Sequence, residues 1–290
     1  MKDFLPYFAG YVDGDGHFRF RKYIQDGYEC FNCKIMITST NEEPFKFFKE
    51  KIGGSYYAKV KKESNWKQEF IYTLHIGKEK FNIISELGNF LIEKKSQFQN
   101  IEKFLFGNRE ERISIIEESK KLRNSDFCTI EHCNRIKKVC NSINPSKEDF
   151  IYLAGFIDSE CCLTVTRKVL KTNSVSFSCH LRCASTKFPC IKFLVERFGG
   201  CIYFKTSKND EWANCIQWQL TDKSLENILP KFNEFLINKR DQSKQIIALR
   251  ETYVSRKFPR DKDFISYYNH YTPIRESIYS KVKSLNKRGL

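Results

Sequence analysis

The sequence predicts an α+β fold in which one αββαββα unit occurs twice, and three observations carry that expectation. Tyr7-Phe8-Ala9-Gly10-Tyr11-Val12-Asp13-Gly14-Asp15-Gly16-His17 recurs as Tyr152-Leu153-Ala154-Gly155-Phe156-Ile157-Asp158-Ser159-Glu160-Cys161-Cys162, and each copy runs from apolar and small residues into two acids spaced i, i+2. Asp13 to Asp158 and Asp15 to Glu160 share one offset of 145 residues. Behind each copy the apolar period changes from helical to alternating and back, in the same order.

In the first half, Phe4, Leu5, Phe8, Tyr11 and Val12 fall at helical spacing and predict a helix ending near Asp15. His17, Arg19, Arg21 and Tyr23 then alternate with Phe18, Phe20 and Lys22, the period of a sheet with one apolar face. Asp26-Gly27 signals a hairpin returning over 28–38, which gives a hairpin with one basic face. Asn41-Glu42-Glu43-Pro44 opens a second helix, with Asn41 as candidate N-cap, Phe45, Phe48 and Ile52 on its buried stripe and Gly53-Gly54 as its stop. Strands are predicted over 55–62 and 68–76, and a helix over 79–91 completes the unit.

The second half overlays the first. Residues 36–40 match 182–186, Gly53-Gly54 matches Gly199-Gly200, Tyr57 and Lys59 match Tyr203 and Lys205, and Trp66 matches Trp212. Residues 90–97 match 235–242, so the correspondence keeps its order over most of each half, the mark of an internal duplication. Residues 98–121 read as a charged helix. The predicted divisions are an N-terminal domain over 1–121, a linker over 122–148, a C-terminal domain over 149–255 with a further helix near 241–255, and a basic tail over 256–290 read as a solvated helix, with contact to nucleic acid as the alternative.

Lys and Arg number 50 against 35 acids, a net charge of +15 spread along the chain. A folded polyanion binder and a well-solvated basic surface both fit that balance, while no basic amphipathic helix points to an acidic membrane. No apolar run approaches the roughly 20 residues of a membrane span, and no signal-peptide pattern opens the chain, so a soluble, non-secreted protein is expected. The twelve cysteines are then expected to be reduced. Cys30 and Cys33 form a lone CxxC, and Cys128, His132, Cys133 and Cys140 lack the second half of a zinc spacing, so both groups read as thiols. Abundant Lys, Asn, Ile and Phe hint at AT-rich coding sequence, hence an organelle (mitochondrion or chloroplast) or a prokaryotic cytoplasm.

At Phe8–Gly16 and Leu153–Cys161 the sequence resembles the LAGLIDADG homing endonucleases, in their single-chain, two-motif form, over about residues 4–250. The resemblance implies two four-stranded antiparallel sheets forming a saddle over DNA, with the motif helices packed at the domain interface. Gly10 and Gly14, and Gly155 and Ser159, lie four apart on one helical face, which lets two helices approach closer than the usual spacing of about 8 to 10 Å. Close approach would bring Asp15 and Glu160 together at two negative helix ends, a setting that favours a divalent cation. Oxygen ligands without a His or Cys set suggest Mg2+, with Mn2+ or Ca2+ as possible substitutes.

What the resemblance implies is in-line, metal-assisted hydrolysis of one phosphodiester per strand, leaving short 3′ overhangs, by a monomer. Asp15 and Glu160 carry the metals, helped by the carbonyls of Gly14 and Ser159, while Asp13 and Asp158 bond backbone at the interface with Gly10 and Gly155. The family's lysine falls at Lys94 and Lys239. Its second-strand polar residue, often Gln, falls at Ser39 and Ser185, which are too short to act without a water, and Cys161 replaces the last Gly of the motif. By alternation the DNA face takes in His17, Arg19, Arg21, Tyr23, Lys34, Thr38, Lys59, Lys61 and Thr73 of the first half. The second half contributes Thr164, Thr166, Lys168, His180, Arg182, Lys205, Gln217 and Gln219. The faces differ, so the target is expected to be an imperfect palindrome of about two helical turns. The alternatives are an intron RNA maturase and a DNA-binding regulator that has lost catalysis; retention of both acids favours cleavage.

Overall fold

The computed structural model describes residues 3–60, 68–125, 127–136, 144–207, 213–253 and 262–286. The first half runs α1 (Phe4–Asp15), β1 (Gly16–Gln25), β2 (Tyr28–Ser39), α2 (Glu43–Ile52), β3 (Ser55–Ala58) and β4 (Phe70–His75). It continues with α3 (Lys78–Ile84), α4 (Leu87–Phe90), α5 (Lys95–Phe106) and α6 (Arg109–Arg123), and α7 (Ile130–Ile136) follows. The second half runs α8 (Lys147–Glu160), β5 (Cys162–Val169), β6 (Val175–Ser185), α9 (Phe188–Phe198), β7 (Cys201–Lys205) and β8 (Cys215–Thr221), then α10 (Asp222–Asn233), α11 (Arg240–Glu251) and α12 (Lys262–Leu285). Two four-stranded antiparallel sheets result, ordered β1-β2-β4-β3 and β5-β6-β8-β7.

The predicted hairpin closes at Asp26 (φ 52°) and Gly27 (φ 81°), both left-handed, as a two-residue turn matched to strand twist requires. The register places Phe18 opposite Ile35, and Ile35 opposite Leu74, so one face of the sheet is continuously apolar. That face packs on aromatic rings: Phe18 meets Phe98 edge-on at 5.9 Å, Phe20 meets Phe104 at 5.1 Å, and Phe48 sits among Phe8, Tyr11 and Tyr72. Each fully buried ring or aliphatic side chain contributes roughly 1.5–3 kcal/mol. The second core repeats the plan, with Trp218, Leu181, Leu163, Phe232 and Leu194 buried.

Several expectations need correction. The helix expected over 79–91 is broken into α3 and α4. The one expected over 98–121 starts earlier and breaks after Phe106, where Gly107 ends α5 and Asn108 caps α6 through Glu111 in a capping box. Asn41 stands one residue before the N-cap, Glu42, although its Oδ1 does accept from the Glu43 N–H at 3.0 Å. The strand expected over 55–62 ends at Ala58; Lys61, Trp66 and Trp212 lie outside the described residues. The linker carries a helix, α7, whose Cys133 and Ile136 are buried.

The largest correction concerns the basic tail. Its described part is a 24-residue helix, α12, packed against α11, β5 and β6, with Ile278 and Val282 buried. Tyr268 Oη accepts from the Val175 N–H at 2.5 Å, and Arg167 pairs with Glu276 at 2.7 Å, so α12 braces the outer hairpin of the second sheet. In the first half α6 packs on α5 and β1 and braces its hairpin through Arg109 and Glu29. The structural repeat therefore extends one helix further than the sequence match.

At the centre α1 and α8 pack side by side and are buried from Phe4 to Asp13 and from Ile151 to Asp158. A Cβ on Gly10 would overlap the Tyr152 carbonyl oxygen and come within 2.8 Å of the Phe156 nitrogen. One on Gly155 would overlap the Tyr7 carbonyl oxygen and come within 3.0 Å of the Tyr11 nitrogen. Both neighbours are backbone, which cannot rotate away. Gly10→Ala and Gly155→Ala should each cost about 3 kcal/mol by urea unfolding, whereas Gly77→Ala, with nothing within 4 Å of its Cβ, should cost far less. Equal effects at the three positions would mean that the crossing is not under tension from side-chain volume.

Candidate active site and nucleic-acid interface

The helices stay in contact to their last turn. A Cβ on Gly14 would fall on the Ser159 hydroxyl, which itself bonds back to the carbonyls of Gly155 (3.2 Å) and Phe156 (3.0 Å). Contact there delivers the next residues, Asp15 and Glu160, to one place, with Asp15 half-buried and Glu160 exposed. Burial raises the Asp15 carboxyl above the ordinary range, and Lys239 and Lys94 pull it back. For Glu160, burial of its inner part and then the charge of Asp15 act upward, against Lys94 and Lys239. Two crowded carboxylates at the negative ends of two helices form a site that a hard divalent cation would relieve. Among the described residues no cluster of three or more His, Cys, Asp or Glu side chains offers a metal site. An ion at this pair would need further oxygen donors, and main-chain carbonyls at the helix ends are of the right kind.

Asp13 and Asp158 point away from that pair, into loops. Asp13 accepts from the backbone N–H groups of Ile92 (2.6 Å), Glu93 (3.2 Å) and Lys94 (2.9 Å). Asp158 accepts from those of Ile237 (2.6 Å), Asn238 (3.0 Å) and Lys239 (2.8 Å). Each also receives a hydroxyl from the opposite helix: Tyr152 donates to Asp13 at 2.8 Å and Tyr7 to Asp158 at 2.7 Å. Burial raises both carboxyls, and the nearby lysine and the backbone donors oppose it. The aspartates thus hold the loops that carry the lysines. Lys94 Nζ donates to the Asp13 carbonyl at 2.5 Å, and Lys239 Nζ donates to those of Ile157 (2.5 Å) and Asp158 (2.9 Å). Both ammonium groups lie over carbonyls near a helix C-terminus, where cations are favoured, within reach of the paired acids.

Tyr7 and Tyr152 were missed as interface residues. Their signal was available, since they head the two repeated stretches at the same 145-residue offset. The two serines each hold backbone. Ser39 Oγ accepts from Tyr11 Oη and from the Asn41 N–H, both at 3.2 Å, and Ser185 Oγ accepts from the Lys187 N–H at 2.9 Å. Both hydroxyls therefore form turns after a strand, a role the sequence reading did not give them. Cys161 is buried. Cys30 and Cys33 differ in burial along β2, and Cys140 lies outside the described residues.

The sheet face opposite the aromatic core carries the residues chosen by alternation. In the first sheet His17, Met36, Thr73 and Ser55 form one cross-strand row, and Arg19, Lys34 and His75 another. Arg21, Tyr23, Thr38 and Lys59 are exposed, but Thr73 is buried under its neighbours and is corrected from this surface. Desolvation and then Arg19 and Arg21 lower Lys34; desolvation and then Arg123 and Arg19 lower His17, the mark of crowded cations. Sequence alternation could also have found His75 and Tyr57, both exposed.

The second sheet's face is organised differently. Thr164, Thr166, Lys168, His180, Arg182, Lys205, Gln217 and Gln219 all share it, with exposed Tyr203 and Cys162 added. Gln219 Oε1 accepts from Arg182 (3.0 Å) and Gln217 (3.3 Å), its amide meets His180 Nδ1 (3.3 Å), and Thr166 meets His180 Nε2 (2.9 Å). One face is a field of crowded cations, and the other joins its arginine to neutral amides and an imidazole in a connected network. Polar donors presented in rows along twisted strands suit a groove lined by phosphates and base edges.

Residues 153–247 match the family model described as LAGLIDADG endonuclease. No curated protein matches the sequence. Similar solved structures include I-SmaMI bound to an uncleaved DNA target in the presence of calcium ions, at 16% identity over 98% of this chain and 99% of that one, with a TM-score of 0.66. The I-SmaMI LAGLIDADG homing endonuclease bound to cleaved DNA matches at 16% identity over 98% and 97%, with a TM-score of 0.65. The LAGLIDADG meganuclease I-CpaMI bound to uncleaved DNA matches at 13% identity over 98% and 99%, with a TM-score of 0.61. At such identities the likeness is one of fold. Among the described residues no helix is long and apolar enough to cross a membrane.

Two outcomes follow from this geometry. Tyr152→Phe and Tyr7→Phe each remove a hydroxyl bound to a buried carboxylate and should cost about 2 kcal/mol in urea unfolding; a change near zero would mean that the aspartates are satisfied by backbone alone. The second concerns Asp15, whose folded pKa lies above its unfolded value. Its stabilising contribution is full below the unfolded carboxylate value of about 4 and is lost as pH rises through the raised one. In chelator, Asp15→Asn should therefore be more stable than the parent at neutral pH, with the gap closing towards the acid side. The exposed tip of Glu160 screens its share of this effect. Magnesium should narrow the neutral gap by stabilising the parent alone.

Proposed function

We propose that this chain, whose residues 153–247 match a LAGLIDADG endonuclease domain inside a two-motif LAGLIDADG fold, is a site-specific endonuclease that cuts both strands of double-stranded DNA. The observation that carries this reading is the pairing of Asp15 with Glu160 at the meeting ends of α1 and α8. Two polar, partly basic sheet faces belong to the same molecule, and a net charge of +15 attracts a polyanion from a distance.

Each step then falls to residues of the chain. Arg19, Arg21, Lys34 and Lys59 in one half, and Arg182, Lys168 and Lys205 in the other, bind phosphate and guanine edges, while Gln217 and Gln219 present amides to adenine. Asp15 and Glu160, with the carbonyls of Gly14 and Ser159, would hold divalent ions, Mg2+ by preference for hard oxygen donors. Such ions would supply charge neutralisation at the scissile phosphate and activation of water. Lys94 and Lys239, fixed over helix carbonyls, add positive charge on either side of the paired acids, where negative charge develops on the oxygens of the five-coordinate phosphorus. In each strand a water oxygen bonds to phosphorus and the bond to the 3′ oxygen breaks, leaving a 5′ phosphate and a 3′ hydroxyl. Two half-sites acting on opposite strands leave short 3′ overhangs. Asp13 and Asp158 act through the lysine loops that they hold.

The test is cleavage of a plasmid carrying the uninterrupted host-gene sequence, or of a library of long sites, with Mg2+ or with EDTA. Double-strand cleavage that requires the metal is expected, and Asp15→Asn or Glu160→Gln should lower it by at least about 10²-fold while leaving DNA binding close to that of the parent. Undiminished cutting by both variants would refute the assignment.

A further inference from the structure

The two halves of the site are built alike except beside the lysines. Glu93 precedes Lys94, and Asn238 stands at the matching place before Lys239. The Glu93 carboxylate lies 3.5 Å from Lys94 Nζ, and both side chains are largely shielded, at 17% and 10% exposure. It is held from the opposite half, because Cys190 on α9 donates its thiol to Glu93 Oε2 at 3.6 Å and Tyr152 Oη lies 3.7 Å from the same sulfur. In the first half α2, the counterpart of α9, carries no cysteine, so no thiol reaches Asn238 by the same route.

Asn238 is neutral. Its amide donates to the Asp158 carbonyl at 3.3 Å, and its Oδ1 is buried without a hydrogen-bond partner among the described residues. Lys239 donates to two carbonyls and, among the described residues, forms no ion pair. Lys94 by contrast divides its charge between one carbonyl and a carboxylate. In a shielded setting a neighbouring anion cancels much of the field that an ammonium group projects onto a phosphate.

We propose that Glu93 is a positioning residue that makes the two half-sites unequal, so that the strand dependent on Lys94 is hydrolysed more slowly than the strand dependent on Lys239. The enzyme then nicks its target before it severs it. This inference rests on the endonuclease reading and adds an order of events to it. Glu93 draws the Lys94 ammonium aside and weakens its hold on the phosphate, while the Cys190 thiol keeps the carboxylate from swinging into the metal site.

The experiment follows both strands of one end-labelled target, with Mg2+, in parallel with supercoiled plasmid. The parent should accumulate open circles, with strand rates differing by about tenfold, the scale of effects from groups one shell removed. Lys94→Ala should leave nicking of the fast strand alone, which assigns strands to lysines. Glu93→Gln should speed the slow strand and bring the two rates together, and Asn238→Asp should slow the fast one. A loss of folding or binding would lower both rates in proportion, so the ratio reports the charge. Equal strand rates in the parent, or a Glu93→Gln ratio unchanged from it, would overturn this inference while leaving the endonuclease standing. Absence of any magnesium-dependent cut by the parent would overturn both.

Discussion

Everything in this molecule depends on two helices touching backbone to backbone. At Gly10 and Gly155 each helix sets a glycine against a carbonyl of the other, and no side chain, not even a methyl, fits between them. The contact is repeated near the ends, where Gly14 faces Ser159. An interface of larger residues would separate the axes to the usual 8 to 10 Å or so. The acids that follow would then no longer share an electrostatic neighbourhood. The proximity of the two acids is thus set within the preceding helical turn, by side chains that are absent.

The buried aspartates convert the crossing into the positions of other groups. A carboxylate buried among apolar residues is costly unless its oxygens are occupied. Asp13 and Asp158 each gather three backbone N–H groups and a tyrosine hydroxyl from the other half. The need to satisfy that charge draws the 92–94 and 237–239 loops against the helix ends and fixes where Lys94 and Lys239 stand. The tyrosines make the arrangement reciprocal: each loop is anchored by an aspartate of its own half, oriented by a hydroxyl from the other. Displacement of either helix would disturb both lysines.

Much of this was readable in the sequence because duplication doubles every signal. A single acid at a helix end says little, but two acids at one offset, each behind a small-residue face, say that the ends meet. Strand faces were readable by alternation, and only Thr73 among the described choices proved buried. What could not be read was set by tertiary contact. The tail looked like a solvated basic helix because its sequence does not match α6, although α12 packs on α11 and β5 as α6 packs on α5 and β1. The serines that stand where the resemblance expects a polar side chain also hold the turns after their strands, each accepting a backbone N–H, which strand alternation does not show. The break after Ile84 falls where no proline marks it, whereas Gly107 and the Asn108 capping box did mark the one after Phe106.

Duplication supplies symmetry, and the later divergence of the halves is where specific behaviour resides. The backbone of the repeat is held to symmetry by the glycine crossing, since a change on one helix must be met on the other. The sheet faces and the residues beside the lysines are under no such constraint. One face has become a set of mutually crowding cations, suited to phosphate contact and sensitive to salt. The other has become a network in which Gln219 joins Arg182, Gln217 and His180, so its donors are already oriented and a change at one alters the rest. Under the proposed function, a target read by two such faces need not be symmetric, and neither must the order in which its strands are cut. The fold demands that two acids meet, and it leaves the surroundings of each lysine free to differ.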